Sequence, residues 1–392
     1  MLSVVRNLSL LLLTASALTA CNGGSSATAG EPSAADTGPA PIETQQASFV
    51  VETLASGLDH PWGLAFVTPD RILITERSGQ LRIFEDGKLS EPVQGLPEIW
   101  VGGQGGLLDV AANQGWIYFS YSEPGSLPLT NSTAVARGKL NGRQLSELEV
   151  IFSQEPKYVS RAHFGSRLVF SGGYLFITLG ERFSAKDDAQ TLDNHHGKVV
   201  RIFPDGRVPE DNPYQGQDNA LPEIWSIGHR NIQGATLHPT TGALWIHEHG
   251  PQGGDEINIP EPGENYGWPV ITYGEKYGGG KIGEGTEKPG MEQPLYYWVP
   301  SIAPSGMTFY TGTAFPQWRG DLFVGSLKFR QLVRLELDGN EVVGEERMLQ
   351  DAVGDRIRDV VQGPDGLLYL LTDEDNGRLL RLKPVTQDSG VR

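Results

Sequence analysis

Short apolar runs broken at regular intervals by turn residues run through the chain from about residue 53 onward. One passage sets the pattern: Gly63-Leu64-Ala65-Phe66, Pro69-Asp70, Ile72-Leu73-Ile74-Thr75-Glu76, then Gly79-Gln80-Leu81-Arg82-Ile83-Phe84. Runs this short, alternating and bounded by Gly, Pro and Asp, predict strands joined by tight turns. The pattern returns at 106–110 with 116–120; at 167–170 with 174–179 and 198–203; and at 234–237 with 243–247. Two more copies stand at 306–310 with 321–325 and 331–337, and at 359–361 with 366–372 and 378–382. The copies begin near Gly63, Gly106, Arg167, Gly234, Gly306 and Asp359, spaced somewhat wider than the roughly 40–50 residues of a propeller blade, so the surplus falls in loops. A meander of strands cannot bury both its faces alone, and repeated meanders stack radially and close on themselves. Six copies predict an all-β fold, a six-bladed β-propeller over residues 48–392. A pair of β-sandwiches or an open solenoid would be the competing arrangement, but no helical spacer separates the units.

The first 47 residues follow another grammar. Arg6, the apolar run 8–13 and a stretch of small residues have the layout of an export signal, too short to span a bilayer as an ordinary helix. The signal ends in Leu18-Thr19-Ala20-Cys21, which resembles the lipobox of bacterial lipoproteins, whose cysteine is acylated; plain secretion with a free thiol is the alternative. Residues 1–20 are therefore expected to be a lipoprotein-type signal peptide and 21–47 a tether. The tether is rich in Gly, Ser, Ala, Pro and Thr, a composition that cannot bury a core. The expected location is the bacterial cell envelope, facing the periplasm or exterior, with membrane contact only through a lipid on Cys21. As Cys21 is the one cysteine in the chain, no internal disulfide can form.

Composition narrows the partners. A formal charge of −17, from 31 Lys+Arg against 48 Asp+Glu, repels phosphate backbones, so nucleic acid is not expected as a partner. The 50 Gly and 26 Pro follow no short period, which excludes collagen and disfavours long helices.

Against this acidic background three constellations carry chemistry. The first is Gly228-His229-Arg230-Asn231-Ile232-Gln233-Gly234, followed by His247-Glu248-His249-Gly250-Pro251-Gln252-Gly253-Gly254-Asp255-Glu256 and by Asn265-Tyr266-Gly267-Trp268-Pro269. Carboxylates in glycine-rich loops suit Ca²⁺, which takes carboxylate and backbone oxygens, although a hydrogen-bonded acidic loop would read the same way. His247 and His249, two apart on a strand, would suit zinc as well. The second is cationic: Arg230, Lys328, and Arg356 with Arg358, whose spacing points both guanidiniums one way on an extended segment. Paired guanidiniums grip carboxylates bidentately, although a surface ion pair is the common fate of an arginine. The third is His163 in Ala162-His163-Phe164-Gly165-Ser166-Arg167-Leu168, with Gln104 in Gly102-Gly103-Gln104-Gly105-Gly106 in the equivalent loop of another copy. Histidine is the usual base for a hydroxyl proton, and a structural histidine is the alternative. No G-x-S-x-G elbow, P-loop or dinucleotide fingerprint is present.

Taken together, these motifs, with Ile257-Asn258 and Ile357-Asp359 completing two of them, resemble the glucose/sorbosone dehydrogenase family, and within it the soluble aldose sugar dehydrogenases that use pyrroloquinoline quinone (PQQ). The likeness runs in consistent order from about Thr53 to Leu382. It implies a six-bladed propeller holding PQQ and Ca²⁺, with His163 as catalytic base and Gln104, Arg230, Asn231, Lys328, Arg356 and Arg358 as PQQ contacts. It also implies Gly250 and Pro251 as carbonyl ligands of the cofactor-bound Ca²⁺, Glu256 and Tyr266 at a further calcium site, and Gln104 and Tyr277 as substrate contacts. The implied reaction oxidises an aldose at the anomeric carbon to a lactone, with hydride passing to the quinone, Ca²⁺ as Lewis acid and an electron acceptor that the sequence does not name. One departure stands out: the glucose dehydrogenase branch carries an orienting carboxylate before the base, where this chain has Ala162, so broad aldose specificity is expected. A calcium-dependent lactonase, or a propeller that only binds, are the alternatives; the first would need several deep carboxylate ligands and no cationic cradle.

Overall fold

The computed structural model describes residues 40–385. They form six antiparallel sheets, one per sequence copy. Blade 1 is Pro61–Thr68, Arg71–Glu76, Gln80–Glu85 and Lys88–Leu89; blade 2 is Leu107–Asn113, Trp116–Pro124, Asn131–Asn141 and Gln144–Ser153. Blade 3 is Gly165–Ser171, Tyr174–Leu179, Val199–Ile202 and Ile224–Ser226; blade 4 is Ile232–Leu237, Leu244–Glu248, Asp255–Asn258 and Tyr296–Trp298. Blade 5 is Pro304–Phe309, Leu322–Ser326, Gln331–Asp338 and Glu341–Met348. In each blade the first strand is innermost. The chain is a six-bladed β-propeller.

Blade 6 closes the ring. Its inner strands Ile357–Gln362, Leu368–Thr372 and Gly377–Pro384 come from the C-terminal end, and its next strand, Ser48–Leu58, from the N-terminal end, with Phe49 opposite Pro384 and Val51 opposite Leu382. Sharing one sheet between the two ends removes an open edge and couples the first blade to the last. A fifth strand, Ile42–Glu43, pairs outside it, and Ala47 is buried against the aromatic cluster of Phe49, Phe315 and Trp318. The tether read at 21–47 therefore ends sooner than expected, because Ile42 and Ala47 find apolar partners. The signal peptide read at 1–20, Cys21 and residues 22–39 lie outside the described residues.

Six apolar clusters fill the six interfaces between neighbouring blades. Leu73, Leu81 and Ile83 of blade 1 meet Val110, Phe119 and Ala134 of blade 2, and the sixth cluster packs Leu371 and Leu379 against Leu64, Ile72 and Ile74 to complete the circle. At the axis, equivalent inner-strand positions are Gly63, Asp109, Arg167, Gly234, Gly306 and Asp359, close to the starts of the sequence copies. Arg167 bridges Asp109 and Asp359 at 3.2 and 3.0 Å, and each aspartate also accepts from the backbone of the next blade, Leu168 N at 2.8 Å and Leu64 N at 3.1 Å. The glycines make room for these side chains: a Cβ at Gly306 would stand 2.0 Å from Asp359 Oδ1. The axis is thus a buried ion triad in a ring of small residues.

Candidate active site

Two kinds of loop rise on one face of the ring: those that precede a blade's inner strand and those that follow its second strand. With the long loop after the third strand of blade 4, which carries Tyr277, they enclose a cavity of about 810 Å³ lined by Gln104, Asn231, Pro251, Tyr277, Lys328, Arg356 and Arg358. Seven of the residues singled out in sequence therefore meet in one chamber, although they come from four blades. A second cavity of about 790 Å³ adjoins it, sharing Pro251 and Tyr277, and is lined also by Arg230, Glu181, Phe183 and Trp268.

The first chamber is cationic. Lys328, Arg356, Arg358, Arg77 and Arg330 outnumber Asp373 and Glu374 along its wall. Arg358 is buried, pairing with Asp373 at 2.5 Å, and Arg356 reaches the same carboxylate at 3.3 Å. Burial pushes the Asp373 carboxyl up, but the charge and hydrogen bond of Arg358 outweigh it and hold the acid well below the ordinary range. Burial likewise lowers the Arg358 guanidinium from its ordinary value, opposed by Asp373. Arg358 Nε is left buried without a partner, as are Arg230 Nε and Trp268 Nε1. Unsatisfied buried donors cost free energy unless a ligand meets them, so these three suit an acceptor-rich guest.

His163 is buried and lines neither cavity itself; its neighbours Phe164 and Gly165 line the first, and its partners Glu181 and Phe183 the second. Its Nδ1 donates to Glu181 Oε2 at 2.8 Å; a carboxylate only accepts, so the proton sits on Nδ1 and Nε2 keeps its lone pair. Burial lowers the imidazole from its ordinary value; Glu181 opposes this, and the charges of Arg230 and Arg182 add to it. Burial pushes Glu181 up, but His163 and Arg230 together hold it below the usual range. The pair is thus a neutral imidazole backed by a carboxylate. The backbone is fixed as firmly: His163 N donates to Gln104 Oε1 at 2.7 Å, and Arg182, stacked on Phe164, donates to the carbonyls of Ala162 and His163 at 2.8 and 3.0 Å. His163, Arg182 and Phe183 all hold φ near +60°, which costs each of them roughly 1–3 kcal/mol and concentrates strain at this point.

Glu181 corrects the expectation drawn from Ala162. The base is oriented by a carboxylate that arrives from the loop after the second strand of its own blade, not from the preceding residue. Ala162 contributes only backbone: its carbonyl accepts from Arg182 and its N–H and carbonyl both meet the Ser160 hydroxyl.

The glycine-rich loop of blade 4 places its residues in three ways. Gly250 O accepts from Arg230 at 2.9 Å, keeping a second lone pair, and its N donates to Asp255 at 2.8 Å, while Pro251 lies where the two cavities meet. Glu256 and Tyr266 line a separate small cavity with Glu248. Burial and the neighbouring Glu248 carboxylate push the Glu256 acid well above its ordinary range, a repulsion that a cation between them would relieve. The Tyr266 hydroxyl donates to Ile259 O and accepts from Glu261 N, so any metal contact of this residue would come from its backbone carbonyl. His247 and His249 do not form a zinc pair. His249 faces Pro304 O at 2.6 Å, His247 lies inside the blade against Gly234, and no cluster of three or more His, Cys, Asp or Glu with metal-holding geometry occurs among the described residues.

Two residues that matter here escaped the sequence reading. Asp373 and Glu181 both belong to segments to which the sequence assigns no role. Both sit just after a second strand, as Lys328 and His249 do, so that shared position was the available signal.

A family model described as glucose/sorbosone dehydrogenase matches residues 58–381. The aldose sugar dehydrogenase YliI of Escherichia coli (strain K12) is 48% identical over 351 residues, covering 86% of this chain and 94% of the relative. The crystal structure of the soluble aldose sugar dehydrogenase from Escherichia coli in the apo-form superposes with a TM-score of 0.83 at 46% identity, covering 86% of this chain and 100% of the other. The PQQ-bound form of an aldose sugar dehydrogenase from Streptomyces coelicolor gives a TM-score of 0.70 at 25% identity over 88% of this chain and 99% of the other.

Proposed function

Because the chain belongs to the glucose/sorbosone dehydrogenase family, we propose that it is a quinoprotein oxidising aldose sugars at the anomeric carbon to lactones, with PQQ and Ca²⁺ as cofactors. The observation that carries this reading is the neutral His163, backed by Glu181 and followed directly by Phe164 and Gly165, which line a chamber walled by guanidinium and ammonium groups. The unpartnered donor of Arg358 and the cationic wall fit a polycarboxylate cofactor. Lys328, Arg356 and Arg358 would neutralise it, Gln104 and Asn231 would offer amide contacts, and the carbonyls of Gly250 and Pro251 would ligate Ca²⁺. When bound, PQQ supplies a two-electron acceptor and Ca²⁺ the Lewis acid that polarises it.

The protein's own part is proton chemistry and positioning. His163 Nε2 takes the proton of the anomeric hydroxyl, and the imidazolium that forms is stabilised by Glu181, which also fixes the ring's tautomer. Gln104 gives its oxygen to His163 N and keeps its amide N–H groups for the sugar. Tyr277 stands exposed where the two cavities meet and would meet the sugar there. A lactonase reading lacks support, since the deep aspartates are already paired with Arg167. We further propose an envelope location through lipidation of Cys21; the electron acceptor remains a chemical requirement without a named partner.

Glu181→Gln tests the base assignment. Loss of the carboxylate should lower kcat about 10²-fold. It should also move the acid limb of the rate profile to still lower pH, since Glu181 is the group that raises the His163 proton affinity against burial. An unchanged kcat, or a limb displaced to higher pH, would contradict the role given to this pair.

A further inference from the structure

Resting on the reading of sugar oxidation, we propose that Arg182 is a positioning residue for the base: it holds the His163 backbone in its strained turn, and its unpaired charge sets the pH at which the imidazole is free to take a proton. Arg182 is fully buried, and no carboxylate pairs with it among the described residues. What meets it is neutral. Nη1 donates to Ala162 O at 2.8 Å and His163 O at 3.0 Å, Nη2 donates to Asn131 Oδ1 at 2.5 Å and Ser160 O at 3.2 Å, and the guanidinium carbon lies 3.6 Å over the Phe164 ring. Asn131 opens the third strand of blade 2, Ser160 to His163 lead into blade 3, and Arg182 follows the second strand of blade 3. Three segments therefore meet at one planar fork, whose spread of donors a point-like ammonium cannot reproduce. Left-handed φ values of +55° at His163 and +63° at Arg182 persist because this fork fixes both sides of the turn.

Hydrogen bonding alone does not call for a charge at this point. Gln154, also fully buried, ties blade 2 to the same loop of blade 3 with a neutral amide, donating to Gly180 O at 2.9 Å and His195 O at 3.3 Å and accepting from Thr133 N at 3.2 Å. An unpaired buried cation is costly, and the carboxylate best placed to offset it, that of the chain neighbour Glu181, is engaged by His163 Nδ1 and Phe183 N. Two adjacent residues thus act on one histidine in opposite senses. Burial is the main influence that keeps a proton off the ring; among the charged groups around it, Glu181 favours protonation, while Arg230 of blade 4 and Arg182 oppose it. Burial lowers the Arg182 guanidinium to about 9, with Glu181 opposing, so Arg182 keeps its charge wherever the imidazole titrates.

The test compares holoenzyme with two variants that keep a donor toward the loop carbonyls but differ in charge, Arg182→Gln and Arg182→Lys, with glucose and galactose as substrates over a range of pH. Both should lose about tenfold in kcat with KM moved less than about twofold, because neither side chain spans four oxygens and Arg182 lines neither cavity. Only the glutamine variant should move the acid limb, and toward higher pH, the sense opposite to that of Glu181→Gln. At the pH where wild type runs at half its plateau, Arg182→Gln should run below about a third of its own plateau and Arg182→Lys near half. Titration of nitrogen-labelled histidines in the same three proteins, with the His163 signals identified by their absence from His163→Ala, should give the same order without turnover. A limb and imidazole titration unmoved in Arg182→Gln, or moved equally in both variants, would overturn the proposal, as would an unchanged kcat in both. Arg182→Met supplies the neutral comparison if the glutamine variant does not fold; failure of both neutral variants to fold would make Arg182 a purely structural cation and overturn the proposal too. Absence of turnover with every sugar would instead contradict the oxidation reading, and the histidine titrations would then decide the role of Arg182 alone.

Discussion

His163→Ala is expected to abolish most sugar oxidation, lowering kcat by about 10²–10⁴-fold, while the protein still retains PQQ. The imidazole contributes no charge to the cofactor chamber, whose cations come from Lys328, Arg356 and Arg358. It is instead a neutral base whose free nitrogen is defined by a partner, Glu181. Arg182 anchors the backbone on either side and Glu181 stays bonded to Phe183 N, so the loop keeps its other ties after truncation. Turnover numbers at saturating sugar, with cofactor retention measured on the same sample, check this. Equal loss of binding and turnover would place His163 in the cofactor cradle instead.

The second large effect concerns stability. Arg167→Met should destabilise the fold by about 3–5 kcal/mol at neutral pH, because it strands two buried carboxylates that the arginine now bridges. The pH dependence has a definite sign. Burial raises the Asp109 acid to about 6, with Arg167 opposing and Asp359 adding to the rise, and burial raises Asp359 as well. A folded state whose acids hold protons more tightly than the unfolded chain loses stability as pH rises through the window from the ordinary 3.8 to about 6. Removing Arg167 raises both acids further, so the penalty should be largest above that window and shrink as the solution is acidified and the acids protonate. Denaturant unfolding of both proteins at pH 5 and pH 7.5 measures it; a penalty under about 1 kcal/mol, or one equal at both pH values, would contradict the role given to the triad.

The repeats were legible because each blade must be written locally: apolar strands, turn residues and a small or charged residue facing the axis recur within a few dozen positions. The closure was not, because the pairing of Ser48–Leu58 with Gly377–Pro384 joins segments more than three hundred residues apart, and nothing in either strand names its partner. The site shows the same division. Arg356, Arg358, Lys328 and His163 stood out by type and by place before or after a strand. Glu181 and Asp373 act through partners, one fixing an imidazole and the other two guanidiniums, and a carboxylate in an acidic chain gives no sign of which cation it will meet. Ala162 misled for that reason: a role expected of the sequence neighbour is carried by a residue 18 positions beyond the base.

Reconstitution tests the central claim most directly. Protein lacking residues 1–21 would be freed of metal, then given PQQ and Ca²⁺ separately and together, and aldose-dependent reduction of an artificial dye followed with glucose, galactose and maltose. Turnover that requires both additives, with several sugars accepted, is the predicted result. No turnover under any combination, with PQQ not retained on the protein, would contradict the quinoprotein account and leave only the propeller.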